Sequence, residues 1–298
     1  MTNLWEPVCG VYSSNGSFLP CIGWLVDLGN SSFFTTVFGA LAGAFAGAWA
    51  AQRIATRSKL REELIKEIRS TNSALLLGQV IFNVAVTTKI EWSRTLQENF
   101  DEELEIFKKH GDDFVKHLSR PLNLETIKCA PMPIDQLSHL VLTEISSSTA
   151  AMRAFVQLQI STHSYAHAHG QRNALIKRFQ DGDFQKPLRF EDMYFGETYK
   201  KITNTEYKDS LRSINKFNDD TIFYCLKMCE SLYDHAAELK KRYKEITNAK
   251  ITIQKLIVSP DLDPDVIPKD ELYAGFLAGH INLQSPVAPP WWRLGKRS

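Results

Sequence analysis

Residues 39–50 read GALAGAFAGAWA, a run of small and aromatic residues in a chain of which 23% is charged. The run lies within 25 residues, between Asp27 and Arg53, that include no charged side chain. The central segment Phe33–Ala51 would span about 28 Å as a helix, and the hydrocarbon core of a bilayer is about 30 Å thick. The sequence therefore predicts a transmembrane helix at 33–52.

Basic residues flank this span on one side. All 35 Lys and Arg residues follow Gln52, and the first of them are Arg53, Arg57, Lys59 and Arg61. Positively charged flanks stay on the cytoplasmic side of a membrane. We therefore expect a single-pass protein of a bacterial inner (plasma) membrane. Its residues 1–32 would lie outside the cytoplasm and its C-terminal domain inside.

Two other interpretations of the span remain open. A buried helix of a soluble protein can have the same composition, and Ala48–Ala50 resembles the small-x-small site at which signal peptides are cleaved. A signal peptide, however, carries its basic residues before the apolar segment, whereas here they follow it. The position of the charges favours a membrane anchor.

Three glycines recur at intervals of four within the span: Gly39, Gly43 and Gly47. Residues four apart lie on the same face of a helix, so these glycines form a flat stripe on which a second helix can pack closely. This glycine zipper predicts a homo-oligomer. The alternative is an Ala/Gly-rich span with no particular partner.

The first 32 residues contain two cysteines, Cys9 and Cys21. They fall on the predicted outer side of the membrane, which is oxidising in bacteria. They form either an intramolecular disulfide or two free thiols. The remainder of this segment is rich in Gly, Ser, Asn and Pro and predicts irregular structure.

From Arg53 onward the pattern predicts a mostly α cytoplasmic domain at 53–284, followed by a Pro/Trp/basic tail at 285–298. Apolar residues recur every three or four positions and predict helices at about 53–89, 92–118, 134–179, 207–246 and 270–280. The fourth of these has nearly heptad spacing, so we expect a coiled-coil-like bundle of long helices. Residues 180–206 are predicted to be a polar loop, and 251–258 fits either a strand or a helix end.

Metal binding is one chemical interpretation of the sequence HSYAHAH. His163 and His167 lie one helical turn apart and could share a metal ion. The glutamate of a zinc-protease HExxH motif is missing, because Ser164 follows His163. A polar helix face directed to solvent or to a partner is therefore the favoured interpretation.

Two further clusters are interpreted structurally. Cys225 and Cys229 lie one turn apart in an apolar stretch, where burial as small side chains is favoured over a zinc site. Residues 261–265 read DLDPD and begin like a calcium loop, but Val266 stands where the loop requires glycine. We expect a surface turn there.

No phosphate-binding glycine motif and no nucleophile motif occurs in the sequence, and no cofactor is predicted. The formal net charge of +1 argues against a nucleic-acid partner, because such binding requires a clustered positive surface. The pattern resembles that of bacterial single-pass helical proteins, and this resemblance implies no activity.

The membrane span makes a self-associating scaffold or interaction protein the first functional hypothesis. Its partners would be the lipid bilayer, further copies of the chain and a cytoplasmic protein. The alternative is a toxin-like or antiviral effector whose spans assemble into a membrane-disrupting pore. A metal-dependent enzyme using His163 and His167 is a third hypothesis. Enzymatic activity is less favoured than a non-enzymatic role.

Overall fold

A computed structural model of the chain describes the backbone of residues 32–247 and 249–284 and the side chains of 36–247 and 249–279. The predicted outer segment with Cys9 and Cys21 and the predicted tail lie outside the described residues. The prediction of a mostly α fold is confirmed, since 76% of the structure is helical.

The helices and strands follow one another in this order: α1 (Ser32–Thr88), α2 (Arg94–His110), α3 (Ile134–His139), α4 (Thr149–Gln180), α5 (Phe190–Phe195), β1 (Thr198–Tyr199), β2 (Ile202–Thr203), α6 (Glu206–Ile246) and α7 (Ala274–Gln284). Single π-helical turns follow α1 and α3, at Lys89–Ser93 and Leu140–Glu144. Short 3-10 turns occupy Gly111–His117, Pro264–Val266 and Asp270–Tyr273. The two strands form an antiparallel pair.

The chain divides into two units, and the boundary lies within α1, between Leu60 and Arg61. The described part of the first unit is a single stretch of α1. Its large apolar side chains are exposed, with Phe45 at 74% and Trp49 at 64%. The second unit contains the packed hydrophobic core.

Three long helical segments form the frame of the second unit. The first is the end of α1 continued by α2, the second is α4 and the third is α6. Early in this part of α1, Glu67 lies 3.0 Å from His235 of α6. Just after the end of α1, in the π-helical turn, Lys89 pairs with Asp219 of α6 at 2.7 Å. The helix α6 therefore runs antiparallel to α1. It also runs antiparallel to α4, because the start of α4 shares a core cluster with the middle of α6 and the end of α4 shares one with its start.

The core consists of an aliphatic cluster and an aromatic cluster. The aliphatic cluster joins α1, α3, α4 and α6 around fully buried residues such as Leu137, Phe155 and Leu232. The aromatic cluster joins α2, α5 and the ends of α4 and α6, where Tyr194 stacks on Tyr207 at 4.5 Å between ring centroids. The long amphipathic helices are thus held by burial of their apolar faces, which is the main source of helix stability in folded proteins.

Two extended segments lie along these helices and are held by amide side chains. The connector (residues 118–133) crosses α4, where Asn173 hydrogen-bonds both the backbone N–H and the carbonyl of Ile127, at 3.0 and 2.8 Å. The strap (residues 249–263) follows α1, where Gln79 makes the same pair of bonds to Ile257, at 2.7 and 3.1 Å. The stretch 251–258, left open between strand and helix by the sequence, is therefore extended backbone paired with helix side chains.

Three predicted boundaries are wrong. The helix predicted over 134–179 is interrupted, because Ile145 is extended and the Ser148 hydroxyl accepts a hydrogen bond from the Ala151 N–H at 3.2 Å, starting α4 as its N-cap. Serine is a preferred N-cap. No gap separates α1 from α2, since a π-helical turn joins them. The predicted polar loop 180–206 includes α5, whose Tyr194 is buried.

Candidate functional site

The three glycines predicted to mediate self-association lie on α1 in the first unit. A Cβ atom added at Gly39, Gly43 or Gly47 would meet no atom within 4 Å. The apolar side chains of the same stretch are exposed: Val37, Phe38, Leu41, Phe45 and Trp49. The stripe is therefore open along its length in a single chain.

The basic flank follows directly on the same helix. The guanidinium of Arg53 lies 5.2 Å from the centroid of the Trp49 ring, within cation–π range. Arg57, Lys59 and Arg61 are exposed. Of the part of the chain that the structure describes, one helical run, Thr36–His117, includes a stretch long and apolar enough to cross a membrane, judged by length and composition.

The two histidines proposed as metal ligands, His163 and His167, are both exposed on α4. Within residues 36–247 and 249–279 no three His, Cys, Asp or Glu side chains are grouped so as to hold a metal ion. The third histidine of the motif, His169, is buried. Metal binding by His163 and His167 stays a prediction.

The cysteine pair of α6 packs against a glycine of α1. Cys225 and Cys229 are buried, which confirms the structural interpretation of their spacing. The Cys225 thiol donates a hydrogen bond to the Gly78 carbonyl at 3.2 Å. Its hydrogen bond to Cys229 and its burial raise the pKa of Cys225 well above the ordinary value. The thiol therefore stays protonated at neutral pH and serves packing.

The aspartate-rich turn also has a structural role. The Asp263 carboxylate accepts a hydrogen bond from the Asp265 N–H at 3.0 Å and lies 3.2 Å from Arg94. The first of these bonds starts the 3-10 turn at Pro264–Val266. The prediction of a surface turn in place of a calcium loop agrees with this geometry.

A cavity of about 290 Å³ in the second unit was not predicted from the sequence. The end of α1 with its π-helical turn, the connector and α4 form its walls, and it opens to solvent. Its lining residues include Val84, Trp92, Ile127, Cys129 and His169. We call it the His169 cavity. Its walls come from segments far apart in the chain, so no local motif marks it.

The imidazole of His169 is the most unusual polar group in this cavity. The side chain is 2% exposed, and neither ring nitrogen has a hydrogen-bond partner among the described residues. Burial, with a smaller contribution from nearby Arg172, lowers the pKa of His169 to about 4. The ring is therefore neutral at physiological pH, with one N–H donor and one acceptor nitrogen both unused.

The Cys129 thiol, which also lines the cavity, is protonated at neutral pH. Cys129 is half-buried, and burial raises the pKa of its thiol. A nucleophilic cysteine needs the opposite shift, because the thiolate is the reactive form. Cys129 is therefore not activated as a nucleophile.

No family model, no curated protein and no solved structure matches the sequence or the fold.

Proposed function

We propose that the protein is a membrane-anchored, self-associating helical scaffold or interaction protein of a bacterial inner membrane. A single span at 33–52 would hold it in the bilayer, with the N-terminus outside and the coiled-coil-like helical domain in the cytoplasm. The observation that carries this proposal is the charge-free first part of α1. Its large apolar side chains are exposed, and a series of basic residues follows it directly on the same helix.

The exposed apolar side chains supply the energetic argument for the anchor. Burying a Leu or Phe side chain contributes about 1.5–3 kcal/mol relative to exposure in water. Five partly exposed residues of this kind, from Val37 to Trp49, would together favour transfer into lipid by roughly 5–10 kcal/mol. Water is therefore an unfavourable solvent for this stretch. Insertion into a bilayer removes the free-energy cost of exposing these apolar side chains to water.

The glycine stripe supplies the argument for self-association. Glycine in a helix costs about 1 kcal/mol relative to alanine, so three of them cost roughly 3 kcal/mol unless close packing offsets the loss. The open space beside Gly39, Gly43 and Gly47 would accommodate the backbone of an identical helix. We therefore propose a second copy of the same span as the partner, because this requires no other protein.

The first prediction concerns the anchor. The wild-type protein should remain in the membrane pellet after carbonate extraction, whereas the double variant Leu41→Arg/Phe45→Arg should move to the soluble fraction. Each central arginine costs about 2.5–3.5 kcal/mol in a membrane helix. The control is Leu272→Arg, a residue 75% exposed in the second unit, which should stay in the pellet. Wild-type protein in the soluble fraction would contradict the anchor.

The second prediction concerns the stripe. Gly43→Leu should reduce the oligomer mass measured in detergent by light scattering, because the leucine side chain separates the two helix backbones. The matched control, Ala44→Leu, places the same side chain next to the stripe and should leave the mass unchanged. An unchanged oligomer mass in Gly43→Leu would show that the glycine stripe is not the interface.

Dye release from liposomes separates the scaffold from the membrane-disrupting alternative. A scaffold inserted into liposomes should leave the trapped dye inside. Leakage that requires Gly43 would support the effector, whose spans would assemble through the same stripe. A selective channel is disfavoured, because the span has few polar side chains to line an ion pathway.

A further inference from the structure

One end of the second unit carries a concentrated positive charge. Residues 240–250 run from the end of α6 into the strap, and they include five Lys or Arg residues and one Glu. The formal net charge of the whole chain is only +1, so the remainder of the chain is net negative. We call these five basic side chains the basic surface: Lys240, Lys241, Arg242, Lys244 and Lys250.

The charge of the basic surface is not neutralised within the second unit. All five side chains are exposed, and none forms an ion pair with an acidic side chain among the described residues. On the neighbouring part of α1, by contrast, Lys66 pairs with Glu144 at 2.8 Å. The basic surface is therefore available to an anionic partner.

Helix stability accounts for only part of this pattern. A cation near the C-terminus of a helix interacts favourably with the helix dipole, and this effect falls off within the last turn. In α6 the basic residue of the last turn is Lys244. Like charges four residues apart, as at Lys240 and Lys244, destabilise a helix. The remaining cations therefore need another explanation, and a partner of opposite charge provides one.

The basic surface lies at the end of the second unit where the chain enters it. Tyr243 of α6 packs with Leu64 and Ile68 of α1 in a small buried cluster, and Leu64 is the first buried residue of α1 among those described. The second unit begins at Arg61, and the predicted span ends at residue 52. The cations thus surround the part of the helical unit that follows the span most closely in the chain.

The arrangement of the cations favours a lipid surface over a nucleic acid. Five exposed cations on two segments match an array of anionic headgroups, where each Lys or Arg near the surface raises the affinity about fivefold. Single-stranded nucleic acids also stack their bases on exposed aromatic side chains. Tyr243, the aromatic residue of this stretch, is buried and cannot serve in this way.

We propose that the basic surface binds the anionic phospholipid headgroups of the membrane in which the span is anchored. This inference rests on the proposed anchor, and it gives the second unit a lipid contact of its own. The attraction is electrostatic and acts between exposed charges, so salt weakens it. The lipid composition of the membrane then determines whether the helical unit is held at the bilayer.

Vesicle flotation measures this contact in the full-length variant Leu41→Arg/Phe45→Arg, in which the proposed anchor is removed. The variant should float with phosphatidylcholine vesicles that contain about 30% phosphatidylglycerol and should not float with phosphatidylcholine alone. Adding Lys240→Glu/Lys241→Glu/Lys244→Glu should lower the affinity for the anionic vesicles by about tenfold or more. Circular dichroism checks that each variant is folded.

A matched control changes the net charge by the same amount at other exposed lysines. Lys109, Lys128 and Lys216 lie in α2, in the connector and in the first half of α6. The triple variant Lys109→Glu/Lys128→Glu/Lys216→Glu in the same background should retain the affinity for anionic vesicles. Equal loss in the two triple variants would show that net charge, and not the basic surface, determines binding.

Lysine acetylation of the wild-type protein in proteoliposomes gives a second measurement that requires no variant. Peptide mass spectrometry should show slower acetylation of Lys240, Lys241 and Lys244 when phosphatidylglycerol is present, and an equal rate at Lys216 of the same helix. The proposal is wrong if phosphatidylglycerol leaves either flotation or acetylation unchanged. Binding of polyuridine through the same lysines without flotation would instead assign the surface to nucleic acid.

Failure of the anchor and failure of the basic surface give different results. If the wild-type protein proves soluble after carbonate extraction, the anchor is wrong, and flotation of the wild-type protein itself then measures the contact of the basic surface. If the wild-type protein stays in the membrane but phosphatidylglycerol has no effect, the anchor stands and the basic surface has no lipid partner.

Discussion

Gly78→Val is expected to lower the free energy of unfolding of the helical unit by about 3 kcal/mol. At Gly78 the helices α1 and α6 approach so closely that an added Cβ atom would overlap the Cys229 sulfur and lie 3.4 Å from the methyl carbon of Met228. All three residues are buried, so the valine side chain has no open space to enter. The two helices must separate, and the hydrogen bond from Cys225 to the Gly78 carbonyl is strained with them.

Urea denaturation followed by circular dichroism measures this loss as a lower midpoint. Gly170→Val is the matched control, since Gly170 lies within α4 and a Cβ atom there would meet nothing within 4 Å. It should leave the midpoint unchanged or raise it slightly. Adding Cys229→Ala to Gly78→Val should restore part of the stability, because it removes the overlapping sulfur. Equal midpoints for Gly78→Val and Gly170→Val would show that the helices do not pack closely at Gly78.

Arg172→Ala should destabilise the protein by about 4 kcal/mol and release the connector from α4. The Arg172 side chain is fully buried. Its guanidinium donates hydrogen bonds to the carbonyls of Glu125 at 2.9 Å and Asn123 at 3.3 Å and lies 6.0 Å from the Tyr207 ring. Alanine leaves two carbonyls without this donor and opens a cavity beside the aromatic cluster.

The release of the connector can be measured separately from global stability. Lys128 lies in the connector and is exposed, so trypsin should cleave after it faster in Arg172→Ala than in the wild type. The control is Arg178→Ala, because Arg178 is half-exposed and pairs with Asp183 and Glu206 at 3.4 and 3.6 Å. Such surface pairs contribute less than about 1 kcal/mol. Equal rates of cleavage in both variants would contradict the role of Arg172.

Periodic local signals allowed the long helices to be predicted. The end of α1 at Thr88 and the extent of α6, Glu206–Ile246, agree with the predicted 89 and 207–246 within one residue. The helix α6, and α1 from Leu64 onward, each bury one apolar face, so the spacing of apolar residues repeats over many turns. A repeated pattern of this length is the most reliable local signal.

Short elements and helix interruptions were missed for the opposite reason. The six residues of α5, Phe190–Phe195, are too few to show a helical period. The interruption before Ser148 follows apolar residues that continue the preceding pattern, and it is stabilised by a contact distant in sequence. There the N–H of Ser146 donates to the Glu67 carboxylate of α1 at 2.9 Å. A sequence window centred on Ser148 does not include Glu67.

The sequence by itself determined the mostly α fold and the charge-free stretch with basic residues on one side, because both depend on the order of neighbouring residues. Only the tertiary structure decided which polar groups lose their partners. His169 differs from His163 and His167 because α4 turns its side chain toward the core. Its unused nitrogens and its cavity follow from the packing of α1, the connector and α4, and no local pattern encodes that packing.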